Sequence, residues 1–237
     1  MLFVSDHAGN RVPEKLGTLG LGERDRNRHI AWDIGIRGVT SLVSRRVDAT
    51  YIYQGYSRLV IDCNRMPGCA ESMPVVSDGT YVPGNQDLAV PAIERRVEAI
   101  FRPYHAAIVD TLAERDRLGR PTALISMHSF TPMLDTTKVE RPWQIGVIYH
   151  RDNRIGRALV ELLRADSSLC VGENEPYSVN IDIDYTVPVY GERRGIPYVE
   201  IEIRQDLIGH ESGQREWGER VAAVLPRAVE LSGVLGR

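Results

Sequence analysis

Three features that would assign the chain to a special class of protein are absent from its 237 residues. Its three cysteines, Cys63, Cys69 and Cys170, are an odd, sparse set without a Cys-x-x-Cys spacing. This excludes a disulfide framework and favours a reducing compartment, so we expect a cytoplasmic protein. Positive charge is not in excess, because 29 basic and 32 acidic residues leave a net charge of −3, and no nucleic-acid partner is expected. No apolar run approaches the roughly 20 residues that span a bilayer, and no membrane partner is expected either.

The composition itself is that of an ordinary soluble globular domain. Hydrophobic residues make up 43% of the chain and charged residues 26%, which is enough apolar surface to offset the entropy cost of ordering the chain. The length lies within what one hydrophobic core can support, and the sequence shows no repeat or low-complexity linker. We therefore expect residues 1–237 to form a single domain.

Strand-like and helical patterns alternate along the chain. Runs of β-branched and apolar residues predict strands at 50–53, 58–62, 123–127, 145–149 and 198–203. Apolar residues at helical spacing predict helices after Asn27 and over 93–112, 155–162 and 217–231. Pro103 and Pro226 lie inside two of these patterns and are expected to kink or divide them. This alternation favours an α/β sheet covered by helices on both faces.

Two histidines stand in matching positions. His7 follows a short apolar run in Ser-Asp-His-Ala-Gly-Asn, and His128 follows another in Ser-Met-His-Ser. Open α/β sheets hold their sites at the carboxyl ends of strands. A lone histidine there usually satisfies a turn, but a pair with carboxylates nearby indicates a functional site.

Two glutamates alternate in a strand that is otherwise apolar. Glu200 and Glu202 must point to the same face of that strand. An edge strand with one solvated face would explain them, but the apolar neighbours favour burial. A buried carboxylate with a raised pKa is a suitable general base.

Polar groups cluster around the run at 58–65. Arg58, Asn64 and Arg65 suit a bidentate grip on a carboxylate ligand, and an ion pair with Asp62 is the alternative. Earlier in the chain, His29 and Asp33 are four residues apart and would share one face of a helix. Asp33 could ligate a metal, orient a ligand histidine or form a surface ion pair.

Taken together, these motifs resemble the N-formylglutamate amidohydrolase family. The resemblance rests on Asp-His-Ala-Gly-Asn at 6–10, His-Ile-Ala-Trp-Asp-Ile-Gly at 29–35, Arg-Leu-Val-Ile-Asp-Cys-Asn-Arg at 58–65, Met-His-Ser at 127–129 and Glu-Ile-Arg-Gln-Asp-Leu-Ile at 202–208. The family is similar in fold to the zinc-dependent carboxypeptidases. The resemblance therefore implies a three-layer α/β/α fold with a mixed, mostly parallel sheet.

The same resemblance implies roles for individual residues. Asn64 and Arg65 match the pair that holds the substrate carboxylate, with Arg58 as support. Glu202-Ile-Arg204 matches Glu-Leu-Arg, which makes Glu202 the general base and places Arg204 among the catalytic residues.

The resemblance also implies one Zn²⁺ per chain. His7 and His128 are its expected ligands. The carboxypeptidases use His-x-x-Glu, however, and three residues after His7 this chain has Asn10, a poor zinc ligand. Asp33 is the expected third ligand because a carboxylate restores the charge of the set, and Asp6 and Asn10 are the alternatives.

The implied activity is metal-dependent hydrolysis of the acyl amide of a small N-acyl amino acid, with N-formyl-L-glutamate as the substrate. Two other functions remain open. One is a deacylase or carboxypeptidase acting on another N-acyl amino acid or a short peptide. The other is a non-catalytic module that binds carboxylates, although such a module has no need of a buried base.

Overall fold

A computed structural model of the chain describes residues 1–236. Its strands are β1 (Leu2–Ser5), β2 (Thr50–Tyr53), β3 (Val76–Ser77), β4 (Thr80–Tyr81), β5 (Leu124–Phe130), β6 (Ile145–Ile148), β7 (Val171–Glu173) and β8 (Tyr198–Arg204). Its α-helices are α1 (Glu23–Arg26), α2 (Ile36–Arg46), α3 (Val90–Arg96), α4 (Arg102–Arg117), α5 (Arg154–Arg164) and α6 (Glu211–Leu231). Among the described residues, no helix has both the length and the apolar character that crossing a bilayer requires.

Six of the strands form one sheet in the order β2-β1-β5-β8-β6-β7. The neighbours β2, β1, β5 and β8 are parallel to one another. Strand β6 runs antiparallel to β8, and β7 runs parallel to β6. The sheet is therefore mixed and mostly parallel, which confirms the predicted fold.

Helices cover both faces of this sheet. One face packs against α2, α5 and α6, and its core includes Phe3, Ile125 and Trp217. The other face packs against α4 and the irregular segments around it, with Leu124 and Ile108 in the core. Both cores are apolar and closed, as expected for a three-layer arrangement.

The long helical pattern at 93–112 is divided, as predicted. A π-helical turn at Val97–Phe101 separates α3 from α4 just before Pro103. Proline has no backbone N–H to donate to the preceding turn, and a π-helical turn accommodates the missing hydrogen bond. The assigned helix α6, in contrast, runs continuously through Pro226.

Side chains on one face of the parallel strands change from apolar to polar toward the carboxyl ends. Along β5, Leu124 is followed on this face by Ser126 and His128, and along β8 Tyr198 is followed by Glu200 and Glu202. The beginning of each strand thus belongs to the core, whereas its end presents reactive groups.

Two local predictions are wrong. Residues 58–62 form turns and irregular backbone, although Leu59 and Val60 are fully buried. An apolar run predicts burial more securely than it predicts a strand, because side chains can also form the hydrogen bonds that buried backbone requires. Here Asn85 donates to the carbonyl of Leu59, and Arg96 donates to that of Val60.

The second error concerns the helix after Asn27. Regular helix begins only at Ile36. His29 lies in a turn and Asp33 in irregular backbone, so the two are not one helical turn apart. Gly35 has a φ of 81°, and a Cβ there would lie 2.0 Å from the carbonyl oxygen of Ile208. This glycine, which no other residue could replace without strain, lies two residues after Asp33 and immediately precedes the start of α2.

Candidate active site

His7 lies two residues after the end of β1 and is fixed by backbone contacts on both sides. Its carbonyl oxygen accepts a hydrogen bond from the backbone N–H of Asp33 at 2.9 Å. Two residues later, the chain passes so close to Gly55 that a Cβ on Gly9 would lie 2.3 Å from the Gly55 carbonyl oxygen. The Asp-His-Ala-Gly motif therefore brings His7 and Asp33 together.

His7, Asp33 and His128 form a buried cluster. Each offers one ligand atom, and these atoms all lie within 4.8 Å of one another. Asp33 Oδ2 lies 2.9 Å from His128 Nδ1 and 3.5 Å from His7 Nδ1. Two imidazoles and a carboxylate at this spacing are a donor set that suits zinc.

The outer nitrogen of each imidazole is held by a carboxylate. His7 Nε2 lies 2.7 Å from Asp62 Oδ1, and His128 Nε2 lies 3.3 Å from Asp6 Oδ2 and 3.0 Å from the hydroxyl of Ser126. Histidines that bind metals are commonly oriented in this way. Among the described residues, His7 Nδ1 is buried with no hydrogen-bond partner. His7, His128 and Asp33 are therefore the residues that would hold a metal, and a bound metal would give this buried nitrogen a partner.

Charge inside the cluster is balanced by close ion pairs. Burial alone would raise the pKa of Asp33, but the charges and hydrogen bonds of His7 and His128 hold it below its usual range. Burial would likewise raise the pKa of Asp62, yet Arg58 and His7 hold that pKa well below its ordinary value. Despite its burial, His128 has a pKa raised well above the usual value by its hydrogen bonds to Asp33 and Asp6. The site is therefore built to hold positive charge between carboxylates.

Glu200 and Glu202 stand beside this cluster. Glu202 is the register partner of His128 on the adjacent strand and is only 5% exposed. Among the described residues, its Oε2 has no hydrogen-bond partner. Burial raises the pKa of Glu202 well above its usual value and that of Glu200 to about 7. Burial therefore favours proton uptake by both carboxyl groups, the property that a general base needs.

Asn64 and Arg65 also line the cleft. The Asn64 side-chain oxygen accepts hydrogen bonds from the backbone N–H groups of Tyr185 and Thr186. The Arg65 guanidinium contacts Asp184, with 2.6 Å between Nη1 and Oδ1. The two residues thus connect the 58–65 loop to the segment 177–186.

Two other predicted arginines have different surroundings. Arg58 lines the cleft, and its guanidinium lies 2.6 Å from Asp62 Oδ2. This is the ion pair with Asp62 that the sequence offers as the alternative to a grip on a carboxylate ligand. Arg204 lies outside the cleft, where it donates to Asp206 and to the carbonyls of Arg141 and Pro142.

The alternative third ligands are placed elsewhere. The Asn10 side-chain nitrogen donates to the carbonyl of Arg26 and to the side chain of Asn27. Asp6 lies behind His128 and accepts a hydrogen bond from Thr186. Of the three alternatives, Asp33 is the one that shares a ligand cluster with both histidines.

These groups surround a cleft with a volume of about 250 Å³. Sequence reasoning missed several residues of its lining, among them Tyr177 and Asp184. Asp184 is 119 residues from Arg65 in sequence, and nothing in its local pattern indicates the contact. The sequence indicates Asp62 only as a partner of Arg58, and no pattern in it predicts the contact with His7.

Comparison with known proteins gives a consistent result. The sequence profile of a family described as N-formylglutamate amidohydrolase matches residues 1–209. Among solved structures, a gene product from Agrobacterium tumefaciens superposes with a TM-score of 0.91 at 35% identity, over 97% of this chain and 90% of that chain. An N-formylglutamate amidohydrolase from Ralstonia eutropha superposes with a TM-score of 0.65 at 21% identity, over 96% of this chain and 94% of that chain. The second likeness shows the fold alone. Comparison with curated proteins gave no match.

Proposed function

The chain belongs to the N-formylglutamate amidohydrolase family, and from this membership we propose that it is a zinc-dependent amidohydrolase that cleaves the acyl amide of an N-acyl amino acid. N-formyl-L-glutamate is the first substrate to test, since the family name specifies it. The residues proposed for the reaction lie in one cleft, where each has contacts that suit its role.

One zinc ion per chain would be held by His7, His128 and Asp33. The chemistry that zinc would supply there is a water molecule with a pKa lowered to about 7 and a polarised acyl carbonyl. Asp62 and Asp6 orient the two imidazoles through their Nε2 atoms, which leaves the Nδ1 atoms free to face Asp33.

Glu202 is the proposed proton carrier. Its buried carboxylate takes a proton from the attacking water and returns it to the nitrogen of the departing amino acid. Asn64 and Arg65 hold a substrate carboxylate, and this fixes the acyl amide relative to Glu202. Glu200 is the alternative base, because its pKa near 7 also suits proton transfer.

The observation that carries this proposal is a donor set suited to a metal beside a buried glutamate, Glu202, whose Oε2 has no hydrogen-bond partner within residues 1–236. A module that only binds carboxylates gains nothing from Glu202, and burying an unpaired carboxyl group destabilises the fold. The cleft volume of about 250 Å³ lies below the roughly 300–1,000 Å³ of pockets for drug-sized ligands. This favours a small N-acyl amino acid over a peptide.

We also propose that residues 1–237 act as one domain. Phe3 of β1 and Trp217 of α6, from opposite ends of the chain, belong to the same hydrophobic core. Separating the ends would expose that core.

The proposal is tested by metal analysis and a substrate panel. The purified chain should bind one zinc and hydrolyse N-formyl-L-glutamate, with N-acetyl-L-glutamate and N-formyl-L-alanine as comparisons. His7→Ala and His128→Ala should each lose zinc and turnover, whereas His150→Ala, a histidine outside the cleft beside Glu192, should retain both. Stoichiometric zinc in a variant that combines His7→Ala and His128→Ala, or turnover that is independent of metal, would contradict the proposal.

A further inference from the structure

Arg65 does not stand free in the cleft. Its Nη1 donates to Asp184 Oδ1 at 2.6 Å and to the carbonyl oxygen of Asn64 at 3.0 Å. The backbones of Arg65 and Asp184 also form an antiparallel bridge, and the backbone N–H of Met66 donates to the carbonyl of Ile183. The pair therefore joins two segments whose backbones are in register, unlike an ion pair between mobile surface side chains.

Asp184 is the more firmly held partner. Its Oδ2 accepts a hydrogen bond from the backbone N–H of Asn180 at 2.8 Å, and its own N–H donates to the carbonyl of Asn180. The next two backbone N–H groups, of Tyr185 and Thr186, are held by the Asn64 side chain. The carboxylate is thus fixed from both sides before it meets Arg65.

The contact leaves one edge of the guanidinium available. Among residues 1–236, the hydrogen bonds of Arg65 use Nη1 alone. The Nε and Nη2 atoms form the parallel pair of donors that grips a carboxylate at both oxygens. Arg65 and Asp184 both line the cleft, so the pair lies where a ligand would bind.

The charges around Arg65 make its orientation important. Asp184, Glu200 and Glu202 all line the same cleft. Burial raises the pKa of Asp184, while Arg65 opposes that rise. A guanidinium free to rotate would be drawn toward any of these carboxyl groups, and its bidentate edge would then be lost to a ligand.

We propose that Asp184 is a positioning residue for substrate recognition: by holding Arg65 Nη1, it directs the Nε–Nη2 edge of Arg65 toward the carboxylate of the substrate. This inference rests on the proposed function. It assigns Asp184 to binding through Arg65 and gives it no part in proton transfer.

The test compares Asp184→Ala and Asp184→Asn with the parent on N-formyl-L-glutamate and its two monoamides, in which either the α- or the γ-carboxylate is a carboxamide. Asp184→Ala should raise KM for N-formyl-L-glutamate roughly tenfold or more, with kcat changed by less than about threefold. For the monoamide that lacks the carboxylate bound by Arg65, the same variant should change KM little. Asp184→Asn keeps an oxygen acceptor for Nη1, so its KM for N-formyl-L-glutamate should stay close to that of the parent.

Asp182→Ala is the matched control, because Asp182 is an exposed carboxylate in the same segment. It should leave KM for all three compounds unchanged. Equal losses on all three with Asp184→Ala would show a general structural role and overturn the proposal. A lower KM would also overturn it, because Asp184 would then compete with the substrate for Arg65.

Binding of glutarate, measured by calorimetry on the purified protein, separates this inference from the proposed function. The parent should bind glutarate roughly tenfold or more tightly than Asp184→Ala does. If the parent hydrolyses none of the compounds but keeps this difference, the proposed activity is wrong and the role of Asp184 stands. Absence of glutarate binding by the parent, or equal binding by the two proteins, would overturn the role of Asp184.

Discussion

Glu202 and His128 face each other as register partners on two adjacent parallel strands, with their side chains on the same face of the sheet. Both residues are at least nine-tenths buried. Their relative position is therefore set by hydrogen bonds of the sheet ladder rather than by a loop, and small changes elsewhere in the cleft should leave it intact.

Replacing Glu202 by Gln should abolish most turnover without loss of zinc. The amide has nearly the same shape but cannot accept the proton, and loss of a general base typically costs about 10²–10⁴-fold in kcat. Steady-state kinetics and zinc content should be measured together. Near-normal kcat in this variant would move the role of base to Glu200.

Asp33→Asn should weaken zinc binding by far more than the roughly 10–100-fold expected of a residue that only orients a ligand. The replacement keeps the shape but removes the carboxylate charge between His7 and His128. Asn10→Ala is the comparison, and it should not change zinc affinity, because that side chain is bound to Arg26 and Asn27. Competitive metal titrations of the two variants measure the difference. A loss of affinity in Asn10→Ala with none in Asp33→Asn would reverse the assignment.

Arg65→Ala should weaken the transition-state complex by about 2–3 kcal/mol, the value of a charge-assisted hydrogen bond in a partly desolvated site. Esterifying the carboxylate of the substrate should cost the parent a comparable amount but cost the variant little more. Arg151→Ala, an exposed arginine, is the control. If esterification harms both enzymes equally, Arg65 is not the partner of that carboxylate.

Glu200 should make the metal-free protein less stable as pH rises. Its pKa is about 7 in the folded state, against an ordinary value of 4.5, so folding binds a proton between these two pH values. The free energy of unfolding therefore falls as pH increases from about 5 to 8, and Glu200→Gln should reduce that slope. Urea unfolding of metal-free protein at several pH values measures it. A variant with the same slope as the parent would show that Glu200 does not titrate in this range.

The site was predictable where it depends on strand ends. His7, His128 and Glu202 could be placed together from sequence, because parallel strands bring their carboxyl ends to one edge of the sheet. The alternation of Glu200 and Glu202 also follows from the geometry of a strand. The same argument wrongly places Arg204 in the site. Its side chain alternates onto the same face, but it donates a hydrogen bond to Asp206 outside the cleft.

The contacts made by irregular segments were not predictable. Asp33 reaches the cluster through turns rather than from a helix, and Asp184 meets Arg65 across 119 residues of sequence. Neither contact has a periodic signature, because each depends on side chains that satisfy the backbone of a distant segment. Composition and hydrophobic spacing carry no information about such pairs.

The buried loop at 58–62 has a consequence for how the protein opens. Its carbonyls are held by Asn85 and by Arg96 of α3, and the N–H of Asp62 donates to the carbonyl of Ser72. Local unfolding of this loop must therefore break contacts with the helical layer, so its amide hydrogens should exchange with solvent at rates closer to those of core strands than of surface loops. Asn64 and Arg65, which follow this loop directly, should therefore open together with the core rather than with the surface.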